Sequence, residues 1–563
     1  MMKDIRYKII IAVAAVAAVL SPSAQTRSSK SEISKNLNIF SSVYRAIQMN
    51  YVDSIDASET MKNGINAMLY YIDPYNEYYP ANEQDDLLSL STGEFGGIGS
   101  YILQDRRGRT VISKPQPGTP SANVGLRPGD IIWTIDGDTV LTLGSAKVRE
   151  RLRGEAGTSL KVTVKRPYPD VPGDSMLTFD IVRAAIPVKT ISYTGVVRDS
   201  IGYIGLTEYT EQAPDLVREA LVNLKKDPRV KGIVLNLSNN GGGLLESAVK
   251  IVGLFVPRGT EVVRTRGGEG YGERIYRTTN NPVDTEIPLA VIINGNSASS
   301  SEITAGALQD LDRAVIIGER SFGKGLVQST FRMPEDGILK VTVARYYIPS
   351  GRLIQALDYS HRNPDGSAGR VPDSLTNVYH TRAGREVRDG GGITPDIKPT
   401  YPETARLTYN IVTNNSHFDF ATLFHHLYPD LKPDPATYEL PDSVYAQFKE
   451  FIDPASLNYD KVCETYIDNL RKAVKVEGYE SDEVTAALDS LAVLLHHDLD
   501  HDLDTHRKAI EKYLVPEILD RYNENGGEIY ILRNDPDIDA AVKVLTDPAR
   551  LKEILSAPKP EER

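Results

Sequence analysis

The chain has one cysteine, Cys463, in 563 residues. Intramolecular disulfides and Cys-rich metal sites are therefore excluded. No histidine occurs before His361, so the first 360 residues hold no local Ser-His-Asp triad. Positive charge is not in excess. The 64 Lys and Arg stand against 76 Asp and Glu, a net charge of −12, which argues against nucleic acid or an anionic membrane as a general partner. Long apolar runs are also missing: the one candidate, residues 9–20, is 12 residues long, too short to span a bilayer comfortably. What is present is 40 % apolar and 25 % charged, enough to bury several cores and to exclude wholesale disorder. At about 150 residues per domain the length predicts roughly three to four domains.

Lys3, Arg6 and Lys8 precede the apolar run, and Ser-Pro-Ser-Ala follows at 21–24. This order predicts a secretory signal over 1–24, cleaved after Ala24, with an uncleaved membrane anchor as the alternative. The expectation is an exported protein of the periplasm or cell envelope, touching membrane at most through its N-terminal segment. Residues 25–35 read as a polar lead. From Leu37 to Tyr71 apolar residues recur at helical spacing, predicting two or three helices that end at Asp73-Pro74. The whole of 25–91 is an N-terminal helical segment. Residues 92–184 hold short β-branched runs broken by Gly, Pro and Asp, the pattern of a small β-rich domain. A helix is expected at 143–154 and a closing strand at 158–167. Residues 185–400 alternate strands (201–206, 232–237, 289–293, 314–318, 339–347) with helices (213–226, 244–256, 301–312). That is an α/β core buried on both faces. From 401 to 563 the chain turns acidic, Tyr-rich and mostly helical, with a loose tail at 558–563.

The chemistry concentrates in residues 293–328. An apolar strand breaks at Gly295, and Ser297, Ser299, Ser300 and Ser301 follow at the start of a helix. A serine there sits near the helix's partial positive charge, suited to a nucleophile and equally to a plain N-cap. Lys324 lies in a Gly-flanked loop entering a strand, where residues 324, 326 and 328 share a face, so Gln328 can hydrogen-bond the lysine amine. Burial would lower the pKa of that amine and make it a candidate general base. With no histidine nearby, a serine nucleophile here needs a lysine. Asn239-Asn240 and the Gly241–Gly243 turn form a third element, able to offer a backbone N–H to an oxyanion. It lacks the lysine and spacing of a phosphate loop. Ser321–Lys324 matches S-x-x-K of penicillin-recognising enzymes, but the companion SDN and KTG motifs are absent. HHDLDHDLDTH at 496–506 reads as a solvated helix face; His497 and His501 are four apart, without the glutamate of H-E-x-x-H. No metal or cofactor is expected.

In their order along the chain, these segments resemble the carboxyl-terminal processing peptidases, a Ser/Lys endopeptidase family also called tail-specific proteases. The resemblance rests on YIDPYNEYY (71–79), FGGIG (95–99), SANVGLRPGDIIWTIDG (121–137) and RLRGEAGT (151–158). LNLSNNGGGLL (235–245), SASSSEITAGALQD (297–310), FGKGLVQ (322–328) and GGGITPD (390–396) complete it. It covers about residues 37–400. The family pattern places the nucleophile on Ser299, the base on Lys324 and a supporting glutamine on Gln328. The oxyanion hole falls on the N–H groups of Ser300 and of a glycine in the 241–243 turn, Gly242. Ser300 stands where the family usually has alanine. The resemblance further implies a crotonase-like α/β protease core with an inserted PDZ domain. The PDZ carboxylate-binding loop is Phe95, Gly96, Gly97, Ile98 and Gly99, and Arg153 matches an arginine linked to PDZ-to-core coupling.

The implied activity is cleavage of proteins or peptides with accessible, apolar C-termini, rising with alkaline pH as Lys324 loses its proton, with a midpoint below the ordinary ~10.4. Two other readings stay open: a catalytically silent PDZ adaptor that captures C-termini, and a crotonase-like acyl transferase. Self-association is also left open.

Overall fold

The computed structural model describes residues 30–168, 175–268, 270–363, 367–457, 462–495 and 498–556. The expected signal (1–24), His496, His497 and the tail 558–563 lie outside the described residues. The chain divides into two units, residues 1–80 with 332–340, and residues 81–331 with 341–563.

In the first unit, helices Lys30–Asn50 and Ala57–Ile72 are followed by a short strand, Glu77–Tyr79, paired antiparallel with residues 338–340. Asp56 caps the second helix by accepting the Glu59 N–H at 2.8 Å, and Asp73 ends it before Pro74. The polar lead expected over 25–35 is already helical from Lys30. No Gly or Pro interrupts that stretch, and Glu32 favours the positive end of the helix.

The second unit begins with the β-rich region. Its sheet runs in the order Ser100–Gln104, Thr110–Pro115, Ile131–Ile135, Ser159–Lys165 and Met176–Val182, with Asp138–Thr139 paired to Ile131–Ile135. Ile112, Ile132, Val162, Val164 and Ile181 are buried against Val148 and Leu152 of helix Ser145–Leu152. The strand expected to close this domain is internal. Met176–Val182 pairs along the length of Ser159–Lys165 and forms one edge. The proline-rich stretch between them (PYPDVPGD, 167–174) reads as a boundary and hides the last strand from a sequence reading. The opposite edge, Ser100–Gln104, has one strand partner in the sheet.

The α/β core is a five-stranded sheet. Ile191–Val197 lies antiparallel to Ile201–Leu206, which continues in parallel with Gly232–Asn236, Leu289–Ile293 and Val315–Gly318. Alternate residues face opposite sides. Ile204, Ile233, Leu235, Val291 and Ile316 pack with residues of helices Ala213–Leu224, Leu245–Val252 and Ser300–Asp310. Ile201, Tyr203, Val234, Ile292 and Ile317 are covered instead by Ile538, Ala541, Val544 and Leu545 of the late helix Pro536–Leu545. The sheet is thus buried on both faces, but its second cover comes from the region beyond 401. That region has its own core around Phe420, Phe448, Leu514 and Ile518. Its helix Ser416–Leu427 also sets Phe418 against Val111 and Ile131 of the β-rich region. Among the described residues no helix is long and apolar enough to cross a membrane.

Candidate active site

The site lies at the carboxyl ends of the parallel strands, where loops after 206, 236, 293 and 318 converge, as expected for an open α/β sheet. Strand Leu289–Ile293 leads through 294–299 into the helix Ser300–Asp310. Ser299, the N-cap, has φ 55° and ψ −114°, a conformation that costs a non-glycine residue about 1–3 kcal/mol and persists only where its surroundings impose it.

The four clustered serines do different work. Ser297 Oγ donates to the Leu237 carbonyl at 2.8 Å, Ser300 Oγ to the Gly243 carbonyl at 2.9 Å and Ser301 Oγ to the Asn240 carbonyl at 2.9 Å. These three hydroxyls fasten the Ser299 turn to the glycine turn. Among the described residues, the Ser299 hydroxyl has no such carbonyl partner. Ser299 is half-buried, and Ser300 is buried.

Glu302, fully buried one turn into the helix, gathers the rest of the site. Its Oε2 accepts the Ser299 N–H at 2.9 Å and the Lys324 N–H at 2.8 Å. Its Oε1 accepts the Gly323 N–H at 2.7 Å and the Ser321 hydroxyl. Ser321 Oγ in turn accepts the Ile393 N–H at 2.6 Å, which ties the 390–396 segment to the lysine loop. Burial pushes the Glu302 carboxyl up to about 7, against the downward pull of its hydrogen bonds to Ser321, Lys324, Gly323 and Ser299. On the carbonyl side, the Tyr346 hydroxyl lies 2.6 Å from the Lys324 oxygen and 3.2 Å from the Ser299 oxygen. Neither Glu302 nor Tyr346 was singled out from the sequence. Glu302 did leave a signal, because it occupies the third helical position of a capping box begun by Ser299. Tyr346 left none.

Lys324 is half-buried and precedes strand Leu326–Arg332 rather than lying on it. Strand alternation therefore does not by itself set the relation of Lys324 to Gln328, since Gly323 has φ 91° and residues 322–325 form a loop. Gln328 lies on the strand, and its Nε2 donates to Thr342 Oγ1 at 3.1 Å. Gly242, at φ 104°, packs directly against Ser299; an added Cβ would meet the Ser299 Cβ at 2.8 Å and the Ser300 nitrogen at 2.9 Å. Its N–H, assigned from the sequence to the oxyanion hole, donates to Asn240 Oδ1 at 2.9 Å. Ser300 N–H, first in the helix, has no intrahelical acceptor.

The far end of the same helix is held by two buried arginines. Arg352 donates to Gln309 Oε1 at 2.8 Å and to Asp310 Oδ1 at 2.9 Å. Arg385 reaches Asp312, Asp396 and the Gln309 carbonyl. Cations at a helix C-terminus complement its dipole, so the helix that follows Ser299 is anchored at both ends.

A second cleft, about 730 Å³, runs between strand Ser100–Gln104 and helix Ser145–Leu152 and reaches Val188, Lys189 and Glu208 of the core. Phe95, Gly97, Ile98, Gly99 and Arg153 line it. Phe95–Gly97 pair with residues 184–186, and Gly96 backs onto the Gly154 carbonyl, where a Cβ would clash at 2.1 Å. The carbonyls of Ile98 and Gly99 accept from Ser121 and Gln116, whereas their N–H groups donate to no protein acceptor among the described residues. The Arg153 guanidinium sits over the Phe95 ring, 4.7 Å from its centroid. Among the described residues no group of His, Cys, Asp and Glu is arranged to hold a metal.

The sequence matches Peptidase family S41 over residues 200–361, a PDZ domain over 111–166, and a "Probable PDZ-protease, C-terminal helical domain" over 407–545. It is 37 % identical over 326 residues to a carboxy-terminal-processing protease of Bartonella bacilliformis, covering 57 % of this chain and 73 % of that one. It is 29 % identical over 389 residues to a probable CtpA-like serine protease of Staphylococcus aureus, covering 69 % and 75 %. Among solved structures, the photosystem II D1 C-terminal processing protease is 27 % identical, with 60 % of this chain and 92 % of that one covered and a TM-score of 0.34.

Proposed function

The chain belongs to peptidase family S41, among the carboxy-terminal-processing serine proteases, and from that premise we propose that it is a Ser/Lys endopeptidase that selects exported proteins by their apolar C-terminal tails. The observation that carries the reading is the inequality among the serines. Three hydroxyls are engaged by carbonyls, while Ser299 stands on a strained turn whose N–H shares one carboxylate oxygen with Lys324. In the proposed reaction neutral Lys324 takes the Ser299 Oγ proton and Oγ attacks the scissile carbonyl. The leaving amine is protonated by the same lysine, and water activated by it hydrolyses the acyl-enzyme. The Ser300 N–H is one oxyanion donor. The Gly242 N–H is the other, and it must share its proton between Asn240 Oδ1 and the developing oxyanion. Gln328, held by Thr342, supports the lysine.

The substrate tail adds a strand at the edge Ser100–Gln104, with its carboxylate on the N–H groups of Ile98 and Gly99. Arg153 couples tail binding to the core, a role supported by its stacking on Phe95 beside that loop. Export rests on the 1–24 signal, and N-terminal sequencing of the mature protein checks it. Residues 25–91, 92–184, 185–400 and 401–563 are the corresponding helical, PDZ, protease and C-terminal domains. The test is cleavage of an unfolded protein with an apolar tail by wild type, Ser299→Ala and Lys324→Ala, repeated with an acidic tail. Loss in both variants, with folding kept, is expected, as is slower cutting of the acidic-tailed substrate. Residual turnover by Ser299→Ala would sink the dyad, and indifference to the tail would sink the recognition.

A further inference from the structure

We propose that Glu302 and Tyr346 are positioning residues, a two-sided clamp that sets the distance between the Ser299 nucleophile and the Lys324 base. The inference rests on the Ser/Lys reading and deepens it. Ser299 and Lys324 sit in loops that leave two different strands, Leu289–Ile293 and Val315–Gly318, and 25 residues separate them in the chain. Their spacing must come from elsewhere.

Glu302 supplies it on the amide side, where one oxygen, Oε2, accepts both backbone N–H groups. Tyr346 supplies it on the carbonyl side, with its hydroxyl against both backbone oxygens. The hydroxyl has one hydrogen, so the 2.6 Å bond to Lys324 is the principal one and the 3.2 Å contact to Ser299 is shared. Both clamp residues stand on regular elements. Glu302 is on the nucleophile helix, 0 % exposed; Tyr346 is on strand Ile338–Tyr347, 1 % exposed, paired with Thr265. The Tyr346 N–H also donates to the Gly325 carbonyl at 3.0 Å, so the lysine loop is pinned to that strand twice. All four partners of Glu302 are donors, which suits an ionised carboxylate that accepts from every side. Proton transfer between hydroxyl and amine needs an approach of about 2.6–3.2 Å. A displacement of about 1 Å can cost roughly 100-fold in rate.

The experiment compares Tyr346→Phe, Glu302→Gln and the double variant with wild type, using kcat and KM on one unfolded protein substrate. The rate of inactivation by a fluorophosphonate, which needs an activated nucleophile but no tail docking, is measured alongside. Tyr346→Phe should lower kcat by about 10-fold and Glu302→Gln by about 100-fold, as expected for lost alignment, with inactivation slowed in proportion and KM within about twofold. The double variant should be little worse than Glu302→Gln, because the two act on one distance. A folded Tyr346→Phe protein with wild-type kcat and inactivation rate would overturn the clamp, as would a loss confined to KM. If Glu302→Gln does not fold, Tyr346→Phe decides alone. Ser299→Ala and Lys324→Ala run beside them. Activity surviving in those refutes the dyad itself, whereas dead dyad variants with unimpaired clamp variants refute the clamp only.

Discussion

Replacing Glu302 by glutamine should make the protein less active and should remove a loss of stability that the wild type suffers as pH rises. The buried carboxyl has its pKa raised from the ordinary 4.5 to about 7 because burial disfavours the charged form. Below about pH 4.5 the group is neutral in both folded and unfolded chains, and the folded state enjoys its full relative stability. As pH rises through 7, the folded chain must hold a charge that the unfolded chain would hold in water. The stability tied to the neutral form is then lost. At about 1.4 kcal/mol per pKa unit, the loss between pH 4.5 and 8.5 is about 3 kcal/mol. Glutamine cannot ionise, so its curve lacks this component. The assay is urea unfolding of both proteins across that range, with hydrogen exchange in the helix Ser300–Asp310 reporting the local event. The gap between variant and wild type should move by about 3 kcal/mol in the variant's favour, most of it between pH 4.5 and 7. Parallel curves would show that Glu302 does not titrate in this window and would refute the reasoning.

Gly242→Ala should abolish cleavage, because the added Cβ must occupy space 2.8 Å from the Ser299 Cβ at φ 104°; near-normal turnover would show that the glycine turn yields freely. Ser300→Ala removes the bond to the Gly243 carbonyl and should cost about 1 kcal/mol of stability. Fluorophosphonate labelling should survive in it and vanish in Ser299→Ala, and the reverse result would move the nucleophile by one residue. Ile538→Ala, at a fully buried site under the core sheet, should destabilise the protease core by about 2–5 kcal/mol, seen as a lowered urea midpoint. An unchanged midpoint would mean that the late helix lends the sheet nothing.

The parts of this structure that were legible in the sequence are those that repeat locally. Strand Ile201–Leu206 and helix Ala213–Leu224 could be read from periodicity because each declares itself within a few residues. The edge strand Met176–Val182 was lost behind a proline-rich boundary, and helix 30–50 began earlier than its polar start suggested. At the site, residue type and spacing pointed to Ser299 and Lys324, but the relation between them could not be read. Lys324 stands in the loop two residues before the strand on which Gln328 lies. Tyr346 meets Ser299 across 47 residues of chain, and Ser321 meets Ile393 across 72. Long-range hydrogen bonds leave no period behind them.

The helix Pro536–Leu545 covers the underside of the sheet that leads to Ser299, with Leu545 packed against Gly232. A ribosome makes the chain from the other end. When Ser299 and Lys324 have both been made, that helix is still more than two hundred positions away, and Tyr203, Val234 and Ile292 lack its cover. The late helix therefore sets a clock. The sheet is sealed on both faces only after residue 545 has been made, so a nascent chain that stops short of it carries Ser299 and Lys324 on a sheet open on one side.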